Sequence, residues 1–329
     1  MPASTHAVRL LTVIIPTYNR HDELCRAIHH LYLEAKFVLD EVELLIGDNS
    51  DVLVQEKNLR LVNCYRKCMD ITYIPNLSNL GFSANVFNAL PLASSLYTLL
   101  LSDDDRLCKG SLDVVLSTLK SLRSTQPNVN HVLLCPYLRG GSLSDNLRSD
   151  IDVSPKDFLL GFRSRLLLSS VVFPSVADCR ELSAMPYQLR ANLYPHILMS
   201  SPARASFRYT RLSQPLTIVS GGSKSRWSVY QVTSDLFSIM HSSSLPLGGR
   251  SLRGKLFYCV SAWSLLLALK YTVGWINGTI CVSEVLRLAV LTRDKAFFIS
   301  WGFYTLAILL SVKRLYLSLK IVKAKTVRT

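Results

Sequence analysis

Asp103-Asp104-Asp105 is a run of three acids in this 329-residue chain that alone reads as a solvated or helix-capping loop, and that gains meaning from the clusters around it. Three adjacent carboxylates repel one another unless a cation or solvent relieves them. The run follows the apolar stretch Tyr97 to Leu101 with only Ser102 between, so it stands where a strand ends. A divalent ion bridging a diphosphate would use such a cluster, because a hard cation of this kind binds through a few carboxylates plus phosphate oxygens. The ion would act there as a Lewis acid and stabilise a departing diphosphate. Two further polar clusters have the same placement. Thr17-Tyr18-Asn19-Arg20 follows the apolar run Leu10 to Ile15, and Asp48-Asn49-Ser50 follows Val42 to Ile46.

The elements that must carry these clusters alternate in type. Short apolar runs at Leu10 to Ile15, Val42 to Ile46, Ile71 to Ile74, Tyr97 to Leu101 and His131 to Cys135 read as buried strands. Between them, Arg20 to Phe37, Val52 to Tyr65, Phe82 to Leu92 and Lys109 to Leu122 read as helices, the first with Leu24, Ala27, Ile28, Leu31 and Ala35 at helical spacing. Alternation of this kind gives an open, mostly parallel α/β sheet flanked by helices. Ligands of such sheets bind at the carboxyl ends of the strands, where all three polar clusters fall. After about residue 136 the alternation stops. Gly140 to Ser154 reads as a loop, Gly161 to Phe173 is apolar, and Tyr187 to Met199 is a helix or helix-loop containing His196.

Charge and hydropathy divide the chain. Residues 201–329 hold eighteen Lys or Arg against Asp235, Glu284 and Asp294, a net +15, which leaves −1 for residues 1–200 of the total +14. Leu256 to Leu269 and Ala296 to Val312 carry no charge, and Lys313, Arg314, Lys320, Lys323, Lys325 and Arg328 follow the second run. The second run lies at the lower limit for spanning a bilayer. We expect a catalytic domain over 1–220 and a helical, basic, apolar region over 221–329 that meets anionic membrane lipid, either lying in the interface or spanning it. The alternative is a helical bundle packed on the catalytic domain or on a second subunit, so a homo-oligomer stays open. Basic residues alternating with long aliphatic runs favour lipid over nucleic acid. The eight Cys have irregular spacing and complete no zinc pattern, which suits free thiols in a reducing compartment. The first residues have no basic start and too short an apolar run for a secretory signal, so the catalytic part is expected in the cytoplasm.

Taken together, Val13-Ile14-Ile15-Pro16-Thr17-Tyr18-Asn19-Arg20, Leu45-Ile46-Gly47-Asp48-Asn49-Ser50, Asn79-Leu80-Gly81-Phe82-Ser83 and Leu100-Leu101-Ser102-Asp103-Asp104-Asp105 resemble glycosyltransferase family 2. The small residue before three aspartates is similar to the bacterial O-antigen branch that includes abequosyltransferases. The resemblance implies the GT-A (Rossmann-like) fold and an inverting sugar transfer from a nucleotide-sugar, assisted by Mg2+ or Mn2+. The acceptor it implies is a lipid-linked saccharide in surface polysaccharide synthesis, at the cytoplasmic face of the bacterial inner membrane. It also implies roles. Pro16, Thr17 and Tyr18 would line the base and ribose pocket, with Asp48 accepting a hydrogen bond from the base or ribose. Asn79 and Gly81 would shape the loop beside the nucleotide. Asp103 or Asp104 would hold the ribose or sugar side, and Asp105 would be the metal ligand.

Two departures stand out. Many members have an acid at the position of Ser102, and many have an Arg where this chain has Val86-Phe87, so a diphosphate contact is either missing or comes from Arg106 or the basic tail. The family's general base is an acid late in the domain. Between residues 160 and 215 the acids are Asp178 and Glu181 only. His196 occupies about the right place and is the first candidate, Asp178 the second. Two other readings remain: a sugar nucleotidylyltransferase, which should open with a Gly-rich phosphate loop that this chain lacks, and a non-enzymatic basic nucleic-acid-binding module.

Overall fold

The structure is a computed structural model that describes residues 9–139, 142–143, 168–175, 195–200 and 207–219. The chain divides into two compact units, and every described residue belongs to the first. The regions 221–329 and 176–194, with the apolar runs and Asp178, lie outside the described residues. Among the described residues no helix is long and apolar enough to cross a membrane.

Seven strands form the main sheet: β1 (Leu11–Thr17), β2 (Val42–Asp48), β3 (Ile71–Pro75), β4 (Tyr97–Leu100), β6 (His131–Leu134), β9 (Val171–Pro174) and β10 (Arg208–Arg211), in the order β10-β6-β9-β4-β1-β2-β3. Every residue of β1, β2, β4 and β6 is buried, which is why these strands read as continuous apolar runs rather than alternating ones. Four helices intervene: α1 (His21–Ala35), α2 (Val52–Tyr65), α3 (Phe82–Ala89) and α4 (Ser111–Thr125). On one side of the sheet Leu24, Ile28 and Leu31 of α1 and Leu112, Val115 and Leu119 of α4 join Val13, Ile15, Leu44, Ile46 and Leu99 in a single core. Each such Leu or Ile contributes about 1.5–3 kcal/mol relative to an exposed one. The opposite side takes α3, which packs against β1 and β2.

The strands match the expected runs to within two residues. The second half of the sheet does not follow the expected alternation. β9 runs antiparallel to both its neighbours, β4 and β6, while all other pairings in this sheet are parallel. A four-stranded sheet of very short strands, β5 (Arg106–Leu107), β11 (Thr217–Val219), β7 (Tyr137–Arg139) and β8 (Ser142–Leu143), ordered β5-β11-β7-β8, was not expected either. Ser142 and Leu143 fall within the stretch read as loop. Strands of two or three residues have no period long enough to see. This sheet secures the chain just after the acids. Cys108 N–H and the Ser111 hydroxyl both donate to the Leu216 carbonyl, at 2.8 and 3.0 Å.

Gly47, next to last in β2, is required by packing. A Cβ there would run into the Asn85 carboxamide. That carboxamide cannot swing away freely, because its nitrogen donates to the Gly47 carbonyl at 2.7 Å and its oxygen accepts from Asn76 at 2.9 Å. Gly47→Ala should therefore lower unfolding free energy by about 1–3 kcal/mol in chemical denaturation. A neutral effect would show that Asn85 repacks without loss.

Candidate donor site at the carboxyl edge of the sheet

Register explains why the polar clusters meet. β1 and β4 pair with Ile14 opposite Leu100, and continuing that register by three residues sets Thr17 opposite Asp103. β1 and β2 pair with Thr17 opposite Asp48. Asp103, Thr17 and Asp48 thus form a row across three adjacent strand ends. The row is closed by contact: the Thr17 hydroxyl donates to Asp103 Oδ2 at 2.9 Å.

Each carboxylate of the cluster has its own donors. Arg20 Nη1 lies 2.9 Å from Asp103 Oδ1 and 3.4 Å from Asp104 Oδ2. The Ser102 hydroxyl donates to Asp104 Oδ1 at 2.6 Å. The Ser169 hydroxyl donates to Asp105 Oδ2 at 2.8 Å. Asp103 and Asp105 are 5% and 2% exposed, whereas Asp104 is only partly covered. Burial pushes the Asp103 carboxyl up to about 6, against the pull of Arg20 and the Thr17 hydroxyl, and Asp104 pushes it the same way. Burial works against the Arg20 charge too, but Asp103 and then Asp104 outweigh it and raise the affinity of the guanidinium for its proton.

This arrangement fits a divalent cation. A guanidinium already stands as a cation between Asp103 and Asp104, and the surrounding donors are carboxylate and hydroxyl oxygens, the hard ligands that Mg2+ and Mn2+ take. Among the described residues no group of three His, Cys, Asp or Glu side chains encloses a metal position. An ion would therefore depend on one or two aspartates and on oxygens of its ligand, as Mg2+ sites do.

Asp48 is 0% exposed and is fixed from three directions. Ser50 N–H donates to Oδ1 at 2.7 Å, and Asn58 Nδ2 and the Tyr73 hydroxyl donate to Oδ2 at 2.7 and 2.6 Å. Burial, and then the bond to Asp48, raise the Tyr73 hydroxyl well above its ordinary range, so it stays a donor. His21 Nδ1 lies 2.8 Å from Asn58 Oδ1 and extends the network to the start of α1.

The remaining expected residues frame the same edge. Pro16 is a buried residue of β1, and Tyr18, 37% exposed, begins the turn after it. That turn continues through Asn19, whose φ of 53° lies in the left-handed region that Asn tolerates. Asn19 and Asp51 exchange two hydrogen bonds, both 2.9 Å. Asn79 does not cap α3 with its side chain. Its Oδ1 accepts from Gly81 N–H at 2.9 Å, and Gly81 holds a φ of 81° that favours glycine. Asn49 Nδ2 donates to the Gly81 carbonyl at 3.0 Å, and Asn76 bridges Asn49 and Asn85, so this loop is bound to the end of β2.

His196 is 1% exposed in α5 (Pro195–Met199), which packs against α3 and β9. Arg106 is exposed on β5 and acts electrostatically on His30; the cation on the acids is Arg20. Nothing local in the sequence marks Ser169, Asn58 or Tyr73 as working side chains. The one signal available for Arg20 is its place in the cluster after β1.

Residues 12–139 match the family model described as Glycosyl transferase family 2. A curated relative, abequosyltransferase RfbV of Salmonella typhimurium strain LT2, is 32% identical over 114 residues, which is 34% of this chain. That match spans 33% of the relative's own length. Among solved structures, S. aureus TarS 1-349 superposes with a TM-score of 0.59 at 16% identity and 92% coverage of both chains. A longer S. aureus TarS structure gives 0.56 at 18% identity, covering 90% of this chain and 54% of that one. At such identities the structures establish the fold, GT-A, and nothing finer.

The Asp103 proton gives a test of the site without any ligand. Its folded-state value of about 6 lies above the ordinary 3.8. The stability this group contributes is therefore fully present below about 3.8 and is lost as pH rises through about 6. Across that window the wild type should gain up to about 3 kcal/mol toward acid relative to Asp103→Asn. Denaturant unfolding of both proteins in metal-free buffer measures this. Parallel pH profiles would mean that Arg20 and Thr17 hold Asp103 ionised throughout.

Proposed function

We propose, from the premise that residues 12–139 are a glycosyl transferase family 2 domain, that this protein transfers a sugar from a nucleotide-sugar donor to a saccharide acceptor with inversion at the anomeric carbon. The observation that carries the reading is the row Asp103, Thr17, Asp48 at the carboxyl edge of adjacent parallel strands. Such an edge receives nucleotides in open α/β sheets. No Gly-rich phosphate loop follows β1, which speaks against a nucleotidylyltransferase.

In this reading Pro16, Thr17 and Tyr18 line the base and ribose pocket. The rigidly held Asp48 accepts from the base or ribose, and Asn79 and Gly81 shape the loop beside the nucleotide. Asp103 or Asp104 orients the ribose or sugar side. Asp105 would hold Mg2+ or Mn2+, which when bound supplies Lewis-acid stabilisation of the leaving diphosphate. Arg20 adds a positive charge beside Asp103 and Asp104. A base takes the proton of the acceptor hydroxyl as that oxygen forms its bond to the anomeric carbon and the bond to the diphosphate breaks on the opposite face. His196 is our first candidate for this base and Asp178 the second. His196 lies in α5, which packs on α3 and β9.

The acceptor is a lipid-linked saccharide of a bacterial surface polysaccharide, and the reaction runs at the cytoplasmic face of the inner membrane. Two observations support this: the name of the relative RfbV, an abequosyltransferase, and the +15 charge with long uncharged runs in residues 201–329, which suits anionic lipid.

Thermal-shift screening of UDP-, GDP-, dTDP- and CDP-sugars, each with and without Mg2+ or Mn2+, tests the proposal. The correct donor at a hundred times its Kd should stabilise the protein by about 2.7 kcal/mol. No stabilisation by any of them would overturn it. Asp105→Ala should abolish transfer while the fold survives, as read by circular dichroism. Unimpaired transfer by His196→Ala would remove His196 from the mechanism.

A further inference from the structure

β9 is the strand of the main sheet that runs against the others, and its direction has a chemical result. A parallel strand at this place would bring its carboxyl end to the ligand edge. β9 brings its amino end there instead. β4 and β9 pair with Leu99 opposite Val172, and continuing that register by three residues sets Ser102 opposite Ser169. Ser102 opens the acid motif, and Ser169 stands in the short turn Leu168–Ser170 that leads into β9.

The Ser169 hydroxyl, on a residue 0% exposed, makes two bonds of opposite sense. It accepts from Ser102 N–H at 3.1 Å and donates to Asp105 Oδ2 at 2.8 Å. Its partners are the two ends of one turn, which Asp105 N–H closes on the Ser102 carbonyl at 3.1 Å. The hydroxyl spends its single proton on the carboxylate and a lone pair on the amide. A hydrogen bond to one oxygen of a carboxylate restricts its rotation about χ2 and so narrows the directions that the second oxygen can take.

We propose that Ser169 is a positioning residue of the acid motif: it helps to set the orientation of Asp105 toward the diphosphate end of the donor. This rests on the reading of the site as a nucleotide-sugar pocket. Ser169 touches neither substrate nor reacting atoms and acts through Asp105. Partners that orient a metal- or phosphate-facing carboxylate are worth about 10–100-fold in metal affinity or rate when removed. The base and ribose end of the pocket, built on β1 and β2, does not depend on it.

Three variants test this. Ser169→Ala removes the hydroxyl. Ser169→Thr and Ser169→Val have nearly the same shape as each other and differ in the hydroxyl, so they decide the matter even if the alanine variant does not fold. The readouts are kcat, the Mn2+ concentration for half-maximal rate, and calorimetric Kd for UMP and UDP, or for the matching pair of whichever nucleoside the donor screen selects. Ala and Val should lower kcat by about 10–100-fold and raise the Mn2+ requirement. Monophosphate Kd should stay within about twofold, the spread of independent sites. Thr should recover most of the rate. Wild-type kcat and Mn2+ dependence in Ala and Val would overturn the proposal. So would equal losses in Thr and Val, which would indicate packing, or a parallel loss of monophosphate and diphosphate affinity, which would indicate general distortion. A wild-type protein that binds no nucleotide would refute the functional reading itself and take this inference with it.

Discussion

Three neighbouring carboxylates, two of them almost wholly removed from water, set the terms for the rest of this fold. An ionised carboxylate costs several kcal/mol to bury without hydrogen bonds or a counter-charge. Each acid here receives what it needs from a different element: Thr17 from the end of β1, Arg20 from the entry to α1, Ser102 from the motif itself, Ser169 from the turn before β9. None of these donors is near Asp103 in the chain except Ser102. They converge because strand register brings them to one edge. The sheet is thus the device that makes an acidic cluster tolerable, and the cluster in turn dictates which residues can stand at the strand ends.

The same logic holds for Asp48 and for the asparagines around it. Ser50, Asn58 and Tyr73 fix the carboxylate, while Asn49, Asn76 and Asn85 bind the 76–81 loop to β2. A buried polar network of this kind is stabilising only when complete. At the opposite end of the sheet, buried Glu43 accepts from Thr12, from Ser94 N–H and from the Ser94 hydroxyl. That network fixes the chain entering β4, and so indirectly the depth at which the acids emerge. Polar bonding at both ends of an apolar sheet leaves the strands little freedom to slip.

Much of this is legible in the sequence, for a physical reason. Strands buried on both faces write themselves as mainly apolar runs, and α1 writes its core face as Leu24, Ala27, Ile28, Leu31 and Ala35, all of which are buried. The polar clusters stand out against such runs, so the row of strand ends is visible in the linear pattern of residues. What that pattern hides depends on tertiary pairing. The reversal of β9, the two- and three-residue strands of the small sheet, and the approach of Ser169 to Asp105 leave no period and no local motif. Tyr73 alternates within β3 like any strand aromatic, and Asn58 sits in α2 like any helix polar residue. Only the neighbours they meet give them a role. Arg20 is visible as part of a cluster, but its pairing with Asp103 and Asp104, more than eighty residues away in the chain, is not.

The insertion of β9 between β4 and β6 also fixes an order of events during synthesis. Thr98 pairs with Phe173 across a long stretch of intervening chain, and such non-local pairings form late because loop closure must precede them. The acids emerge from the ribosome well before the serine that settles Asp105. A fragment ending near residue 139, where the family match stops, would keep every residue of the family motifs and still lack a strand from the middle of its own sheet. The β4 edge it exposed would be an unpaired, apolar template for association with other chains. The smallest autonomous version of this protein is therefore defined by where its sheet closes, and not by where its recognisable motifs end.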